Sequence, residues 1–171
     1  MACPGIVPTL TWLIGQYRRV TDVNRDAIRP ARPADYDTIA AVVDDWWGRP
    51  ILPSLPRLFL DHFHRTSLIA ETPDGLSGFL VGIVSPSQPD EAYIHFVGVS
   101  PLARKRGLAR ILYGQFFEIA RSHDRHTVKA ITSPVNQASI SFHQRLGFTV
   151  TGPVPDYNGP GHDLITFERA I

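Results

Sequence analysis

The sequence predicts an α/β fold built on a mixed, mostly antiparallel sheet. Short apolar runs bounded by glycine and proline predict strands, and long amphipathic segments predict helices. In chain order the elements read β-α-α-β-β-β-α-β-α-β-β. The early strands follow one another through short turns, which favours antiparallel pairing, whereas a helix separates the strands at 92–99 and 127–131 and predicts a crossover between them.

The first helix is predicted after a short strand at 27–30. Pro33 fits the first helical turn, Asp35 favours the positive end of the helix, and Gly48 ends it. A second short helix is predicted over 55–64. The apolar stripe of the first helix comprises Tyr36, Ile39, Ala40, Val43, Trp46 and Trp47.

Strand signals fill the middle of the chain. The runs 67–71 and 76–84 flank a Pro-Asp-Gly turn and predict a β-hairpin, and a third strand follows at 92–99. The remaining predicted elements are a helix from about 106 to 122, a strand at 127–131, a helix from about 138 to 146, and strands near 148–151 and 163–167. The first of these helices has a predicted core stripe of Leu108, Ile111, Leu112, Phe116, Ile119 and Ala120.

Length and composition predict one globular domain. Hydrophobic residues make up 43% of the 171 residues and charged residues 19%, which is ordinary for a folded domain. We place that domain at 28–171, after an appendage of unknown role, residues 1–27, that has no clear periodicity. A net charge of +1 disfavours general attraction to nucleic acid or to an anionic membrane, so any anion site must be local.

The N-terminal segment carries the one cysteine, Cys3, which excludes a disulfide within one chain and favours the reducing cytoplasm. An apolar patch at 4–15 contains two prolines and is too short to span a bilayer. A packing arm or a misassigned start codon explains the patch better than a cryptic targeting signal does, and its apolar character suggests a contact in a homodimer.

The predicted helix at 106–122 has positively charged side chains at its N-terminus, where a helix favours negative charge. A helix N-terminus has about half a positive charge and free N–H groups. Nevertheless, Arg104, Lys105, Arg106 and Arg110 lie there without a carboxylate. A bound phosphate explains this arrangement. A solvated basic turn in an arginine-rich chain explains it as well, and the charge pattern alone does not separate the two.

Residues 104–109, Arg-Lys-Arg-Gly-Leu-Ala, resemble the acyl-CoA pyrophosphate loop of the GNAT superfamily of N-acyltransferases. In that pattern Arg or Gln is followed by two variable residues, Gly, one variable residue, and Gly or Ala. Residues 136–148 resemble the family's Asn-led helix that ends in Leu-Gly-Phe, and the Ile-Arg-Pro opening at 28–30 is typical of family N-termini. The resemblance covers roughly residues 28–167.

The resemblance implies a GNAT fold with a splayed parallel strand pair and about four helices. It implies an N-acetyltransferase in which a primary amine attacks the thioester of acetyl-CoA directly, without a metal. The pantetheine arm would pair with the main chain near the end of the strand at 92–99, and the pyrophosphate would rest on the loop. The implied cofactor-binding residues are Val97, Val99, Arg104, Lys105, Arg106, Gly107, Leu108, Ala109 and Asn136.

Three residues are candidates for acid–base catalysis. Many family members have a tyrosine at the position of His143, thought to protonate the departing sulfur, and an imidazole can take that role near neutral pH. The alternative is a partly buried histidine bonded to the backbone. Glu91, Tyr93 and His95 share one strand face by alternation. Tyr93 falls where relatives can carry a catalytic carboxylate, so the base is Glu91 or His95, unless His95 is a core residue or the amine needs no base.

In this family the first two helices and the loop before the last strand determine the acceptor. The pocket candidates are Trp46, Trp47 and Tyr157, and one of the two tryptophans is expected in the core because both cannot point the same way. Further candidates are Arg49, Phe59, Asp156 and His162. The acceptor is expected to be a small-molecule or peptide amine, and the sequence does not identify it.

Two other classes of protein stay open at this point. A non-catalytic acyl-CoA-binding regulatory domain would keep the cofactor site without the chemistry, and a structural interaction domain would bind no CoA. The histidine pairs at 62/64 and 123/126 have no cysteine partner and lack the spacing of a helical zinc site, so no metal is expected. The near-zero net charge also disfavours nucleic-acid binding.

Overall fold

The protein is described here by a computed structural model that covers residues 26–171. Cys3, the apolar patch at 4–15 and nearly all of the predicted appendage lie outside these residues. Within the described part, no helix has the length and apolar character needed to cross a membrane.

Residues 26–171 form one seven-stranded mixed sheet with helices on both faces, which confirms the predicted fold class. The sheet order is β1-β2-β3-β4-β5-β7-β6. The strands are β1 (Ala27–Pro30), β2 (Leu68–Thr72), β3 (Gly75–Val84), β4 (Glu91–Val99), β5 (Thr127–Thr132), β6 (Thr149–Val154) and β7 (Leu164–Ala170). The helices are α1 (Asp35–Ala40), α2 (Val43–Trp47), α3 (Leu58–Phe63), α4 (Leu108–Ser122) and α5 (Gln137–Arg145). Short 3-10 turns occupy Leu52–Ser54, His64–Thr66 and Pro101–Ala103.

The first predicted helix is in fact two short helices, α1 and α2. Val42 separates them with a φ of −124°, outside the helical range. The β-branched pair Val42 and Val43 is a poor helix former, which favours a break here. The turn still lets Ile39 and Val43 reach the same core, where both are fully buried.

The only parallel contact of the described sheet lies between β4 and β5. It consists of three register pairs, Glu91–Thr127, Ala92–Val128 and Tyr93–Lys129. Beyond these pairs the two strands part: residues 94–99 of β4 pair only with β3, and residues 130–132 of β5 only with β7. The predicted splay of this strand pair is therefore confirmed.

A β-bulge in β4 lies next to the point of divergence. Val81 pairs with Phe96 and Gly82 pairs with Ile94, so His95 is the extra residue of the bulge. Ile94 packs in the core under α4 and α5, whereas Phe96 packs in the core under α1–α3. The bulge thus places His95 and Phe96 together on the α1–α3 face.

Helix α4 packs tightly on the sheet, but its buried face differs from the predicted stripe. Ile111 is 44% exposed, while Tyr113 and Phe117, which the stripe omitted, are buried. The buried residues recur at intervals of one, three and four along the helix, so the apolar arc is wider than the stripe and rotated away from Ile111. At Gly82 the absence of a side chain makes room for Phe116, since an added Cβ would lie 2.1 Å from its ring.

Candidate active site

The gap between β4 and β5 forms a cleft of about 570 Å³. Residues 93–97 of β4 form one side, and residues 130–133, at the end of β5 and just after it, form the other. Tyr113 of α4, Asn136 at the cap of α5 and His143 of α5 also line the cleft. No described strand pairs with the edge of β4 that faces β5 beyond Tyr93. Apart from the Val99 carbonyl, which accepts from Arg104 at 3.3 Å, the main-chain N–H and C=O groups along that edge are available to an extended ligand that carries amides.

Strand β4, which lines the cleft, continues through residues 100–107 to the start of α4, which has the features of an anion site. Lys105 and Gly107 have φ values of 64° and 84°, so the loop turns twice through the left-handed region before the helix begins. No side chain caps α4, and its first turn has no acidic residue. Backbone N–H groups presented in this way, with the positive end of the helix dipole, favour a phosphate.

The cations of the loop differ in their contacts. The guanidinium of Arg104 donates to the carbonyl oxygens of Trp46 at 2.5 Å and Val99 at 3.3 Å, so this side chain ties the loop to α2 and to the end of β4. Lys105 and Arg106 are exposed beside the loop. Leu108, by contrast, is a core residue, 3% exposed, so its side chain anchors the helix start.

Asn136 caps α5 at the other side of the cleft. Its Oδ1 accepts from the Ser139 N–H at 3.2 Å, and its Nδ2 donates to Thr132 Oγ1 at 3.1 Å. The side chain therefore joins the end of β5 to the start of α5 while lining the cleft. This local role accounts for an asparagine here, and the predicted contact with the cofactor stays a prediction.

His143 is buried at the floor of the cleft, with 4% of its surface exposed. Its ring stacks on Phe167 with centroids 3.8 Å apart and planes 5° apart. Nδ1 lies 2.8 Å from the Ser139 carbonyl oxygen, and Nε2 lies 2.9 Å from the Tyr113 hydroxyl. Burial lowers the pKa of His143 below its ordinary value, which favours the neutral ring. The role of His143 as an acid stays a prediction. With Nδ1 at the Ser139 carbonyl and Nε2 at the Tyr113 hydroxyl, that role requires the doubly protonated imidazolium.

Tyr113 lines the cleft but was not among the residues predicted from the sequence. It lies on α4, 30 positions before His143, and lines the cleft although only 1% of its surface is exposed. Burial raises the pKa of its hydroxyl, so the phenol is protonated at neutral pH. The sequence does contain a signal that Tyr113 is buried. It lies next to Leu112 and five residues after Leu108, on the buried face of α4.

His95 lines the cleft from the α1–α3 face. Its ring stacks on Phe59 at 3.8 Å between centroids, and Nε2 lies 3.0 Å from the Ser54 carbonyl oxygen. A carbonyl oxygen only accepts, so Nε2 carries the proton of the neutral ring and Nδ1 carries the lone pair. Burial lowers the pKa of His95, and the bond to Ser54 opposes this in part.

Glu91 faces a second cavity of about 560 Å³ that adjoins the cleft at Tyr93. Its carboxylate accepts from Lys129 Nζ at 2.5 Å, and Lys129 also lies 3.6 Å from Glu168. Tyr157, predicted for the acceptor pocket, lines this second cavity together with Tyr93. The structure therefore separates Glu91 and Tyr157 from His95 and His143, which line the cleft.

Both tryptophans are partly buried and pack against the core under α1–α3, so the prediction that only one of them contacts the core is not confirmed. Trp47 lines the cleft and packs 5.1 Å from Phe96, whereas Trp46 packs against Phe79 and lines neither cavity. Arg49 and His162 line the cleft as well. Among the described residues, no three histidine, cysteine or acidic side chains come close enough to hold a metal ion.

The fold is an α/β sheet whose one described parallel strand pair parts next to an uncapped helix start without acidic residues. The chain belongs to the acetyltransferase (GNAT) family, whose model matches residues 25–148. It is similar to the L-2,4-diaminobutyric acid acetyltransferase of Shouchella clausii, with 29% identity over 89 residues, 52% of this chain and 50% of that protein. It also resembles the L-amino acid N-acyltransferase MnaT of Escherichia coli, with 39% identity over 61 residues, 36% of each chain.

The fold is shared with the diaminobutyrate acetyltransferase EctA of Paenibacillus lautus, solved with L-2,4-diaminobutyric acid and coenzyme A. The TM-score is 0.66 at 20% identity, over 85% of this chain and 94% of that one. The aligned region spans about half the length of the diaminobutyric acid acetyltransferases that the chain matches by sequence.

Proposed function

We propose that this protein is an N-acetyltransferase that moves the acetyl group of acetyl-CoA to a primary amine. The observation that carries this proposal is the unpaired edge of β4, which leads to the uncapped, basic start of α4. An extended amide-bearing arm with a pyrophosphate at one end is the chemistry that such a cleft accommodates. Membership of the GNAT family supports the same conclusion.

The proposed cofactor contacts are those that the GNAT resemblance implies, and the geometry of the cleft and of the loop is compatible with them. The main chain at Val97 and Val99 would pair with the pantetheine amides, and the N–H groups of residues 104–109 would hold the pyrophosphate. Lys105 and Arg106 add exposed positive charge beside that position, whereas Arg104 fixes the loop. Asn136 would contact the cofactor from the opposite wall of the cleft.

His95 fits the role of general base better than Glu91 does. The Nδ1 lone pair of a neutral His95 can accept a proton from the attacking amine, and this ring lines the cleft. The carboxylate of Glu91 already bonds Lys129 and faces the second cavity. We therefore assign proton acceptance to His95 and a part in acceptor binding to Glu91.

The acceptor that we propose is a free amino acid. The second cavity lies beside Tyr93 and presents Lys129 with Glu91 and Glu168, so it offers both signs of charge to a zwitterion. Two curated relatives are named for L-2,4-diaminobutyric acid and for L-amino acids, which supports this class. Trp47 and Tyr157 would close the pocket, while Trp46 would only support it.

The cofactor site is tested by thermal melts with and without acetyl-CoA. A ligand present at about 100 times its dissociation constant stabilises the native state by roughly 2.7 kcal/mol, so wild type is expected to melt at a higher temperature. The matched variants are Gly107→Asp and Gly107→Asn, because both side chains tolerate the positive φ of this residue and they differ in charge. Only Gly107→Asp is expected to lose the shift.

Turnover separates the enzyme from a non-catalytic acyl-CoA-binding domain of the same fold. CoA release is measured with L-2,4-diaminobutyrate, L-methionine sulfone and a short peptide as acceptors. An acetyl-CoA shift without transfer to any of the three would favour the binding domain, and no shift at millimolar acetyl-CoA would refute the cofactor site.

We also keep a cytoplasmic location in the proposal, since one cysteine permits no disulfide within the chain. The homodimer stays a prediction about the N-terminal arm.

A further inference from the structure

In its neutral form, His143 has no ring proton available for a ligand in the cleft, because of the hydrogen bonds that its two nitrogens make. Nδ1 lies 2.8 Å from the Ser139 carbonyl oxygen, which only accepts, and 3.3 Å from the Ser139 hydroxyl, which can accept as well as donate. The shorter contact with the carbonyl assigns the ring proton to Nδ1. Nε2 then holds the lone pair and accepts from the Tyr113 hydroxyl at 2.9 Å. The proton shared at this contact therefore belongs to Tyr113.

The surroundings fix this arrangement. The stack on Phe167 sets the plane of the imidazole, and the bond to Ser139 sets which edge faces Tyr113. The phenol ring packs edge-on against Phe142 and Phe148, with centroids 5.2 and 6.1 Å away. A leucine would fill such an apolar position without a buried hydroxyl, and an unbonded hydroxyl there would be unfavourable. The bond to His143 is what satisfies it.

We propose that Tyr113 is the proton donor to the departing CoA thiolate, and that His143 is the positioning residue that holds its hydroxyl at the wall of the cleft. This proposal rests on the acetyl transfer proposed above. In the GNAT family the tyrosine thought to protonate the sulfur occupies the position of His143. Here the hydroxyl would come from α4 instead of α5, and both residues line the same cleft.

The reaction balances with groups already described. The amine nitrogen forms a bond to the carbonyl carbon and loses a proton to Nδ1 of His95. The carbon–sulfur bond then breaks, its electron pair stays on sulfur, and the Tyr113 hydroxyl turns its proton from Nε2 of His143 to the sulfur. Solvent returns a proton to the phenolate and removes the one on His95. One proton has moved in net from the amine to CoA, as acetyl transfer requires.

Tyr113→Phe tests the donor, because it removes one oxygen and keeps the ring contacts. The assay uses acetyl-CoA with hydroxylamine as a minimal amine and with L-2,4-diaminobutyrate. We expect kcat to fall about 100-fold, the usual size of a general-acid contribution. The KM for acetyl-CoA and the acetyl-CoA melting shift should stay unchanged, and the solvent isotope effect on kcat should fall toward one. A wild-type kcat in this variant would overturn the proposal.

Two changes of His143 separate the positioning role from a role as the acid itself. In His143→Gln the amide oxygen can accept from Tyr113, but an amide is not an acid at neutral pH, so most of the rate should persist. His143→Phe removes the acceptor and should lower kcat as Tyr113→Phe does. Equal losses in both His143 variants would make His143 the donor and overturn the proposal.

The same assay distinguishes this proposal from the function on which it depends. A wild-type protein that transfers acetyl to neither amine contradicts the enzyme and the Tyr113 proposal together. Transfer by wild type and by Tyr113→Phe at equal rates contradicts only the role of Tyr113.

Discussion

The Tyr113 hydroxyl lies 2.9 Å from Nε2 of His143 and joins helices α4 and α5 inside the larger core. Besides Tyr113, the buried polar side chains of the described residues are those of Ser67, Ser77 and His143, and of these three only His143 has a titratable ring. A titratable ring in this position links protonation to folding, because the charged form would have to be buried.

The stability of the fold is therefore expected to fall on mild acidification. Burial lowers the pKa of His143, so below about pH 6.5 the unfolded chain binds a proton that the folded chain does not. The free energy of unfolding then decreases as the pH falls toward the lower pKa of the folded state. Thermal melts at about pH 7.5 and about pH 5.5 measure this, and His143→Gln should reduce the difference. The matched change His123→Gln, at an exposed histidine, should leave the difference in stability between the two pH values unaltered. If both variants reduce this difference equally, the pH dependence does not come from His143.

The catalytic base can be tested by its pH dependence. Burial lowers the pKa of His95, and a base acts in its neutral form, so kcat/KM should decline only as the pH falls through a value below 6.5. His95→Gln should lower kcat/KM by about 100-fold and abolish that acid limb. Glu91→Gln is expected to raise KM for an amino acid acceptor with a smaller effect on kcat. The reverse pattern would assign the base to Glu91.

Close packing between α4 and β3 makes Gly82 sensitive to substitution. A Cβ at this position would lie 2.1 Å from the Phe116 ring, which is fully buried, so Gly82→Ala should destabilise the protein by about 1–3 kcal/mol. Gly114→Ala is the control, since a Cβ there meets no atom within 4 Å and the residue lies inside α4. That change should stabilise by about 0.5–1 kcal/mol. Urea unfolding of both variants gives the comparison; similar destabilisation in both would contradict it.

The ion pairs of Arg29 should contribute more to the free energy of unfolding than a fully exposed ion pair does. Its guanidinium donates two bonds to Asp35, at 2.8 and 2.9 Å, and two to Glu71, at 2.9 and 3.1 Å. Arg29→Ala removes the guanidinium from both carboxylates where β1, β2 and α1 meet and leaves Asp35 with only the Arg32 N–H, so it should cost about 1.5–3 kcal/mol. Arg121→Ala, which removes the exposed pair with Glu118, should cost less than about 0.5 kcal/mol. Equal unfolding free energies for the two variants would refute the difference.

Most of the architecture could be predicted because turn residues and apolar periodicity are local signals. The Pro-Asp-Gly turn indicated the β2–β3 hairpin, and the long segment between β4 and β5 indicated the crossover. The break at Val42 could not be predicted, because Ile39 and Val43 fit one continuous helix as well as two short ones. The choice between them depends on the packing of α1 and α2 against the sheet.

The parts of the site that the sequence did not predict depend on contacts between distant positions. Residues 104–109 and Asn136 could be found by motif, since their spacing is fixed. The bond of Arg104 to the Trp46 carbonyl and the pairing of Tyr113 with His143 join residues 58 and 30 positions apart. No local pattern encodes either contact. The bulge at His95 was equally hidden, because it shows only in the register between β3 and β4.

The three register pairs between β4 and β5 divide the sheet into a block of four strands and a block of three. A pantetheine arm bonded along the free edge of β4 would act as an eighth strand and join the two blocks. Substrate binding would then be part of the architecture as well as of the chemistry. Amide protons along β4 should exchange slowly only while the arm is in place, so the rigidity of this half of the molecule would follow the concentration of acetyl-CoA around it.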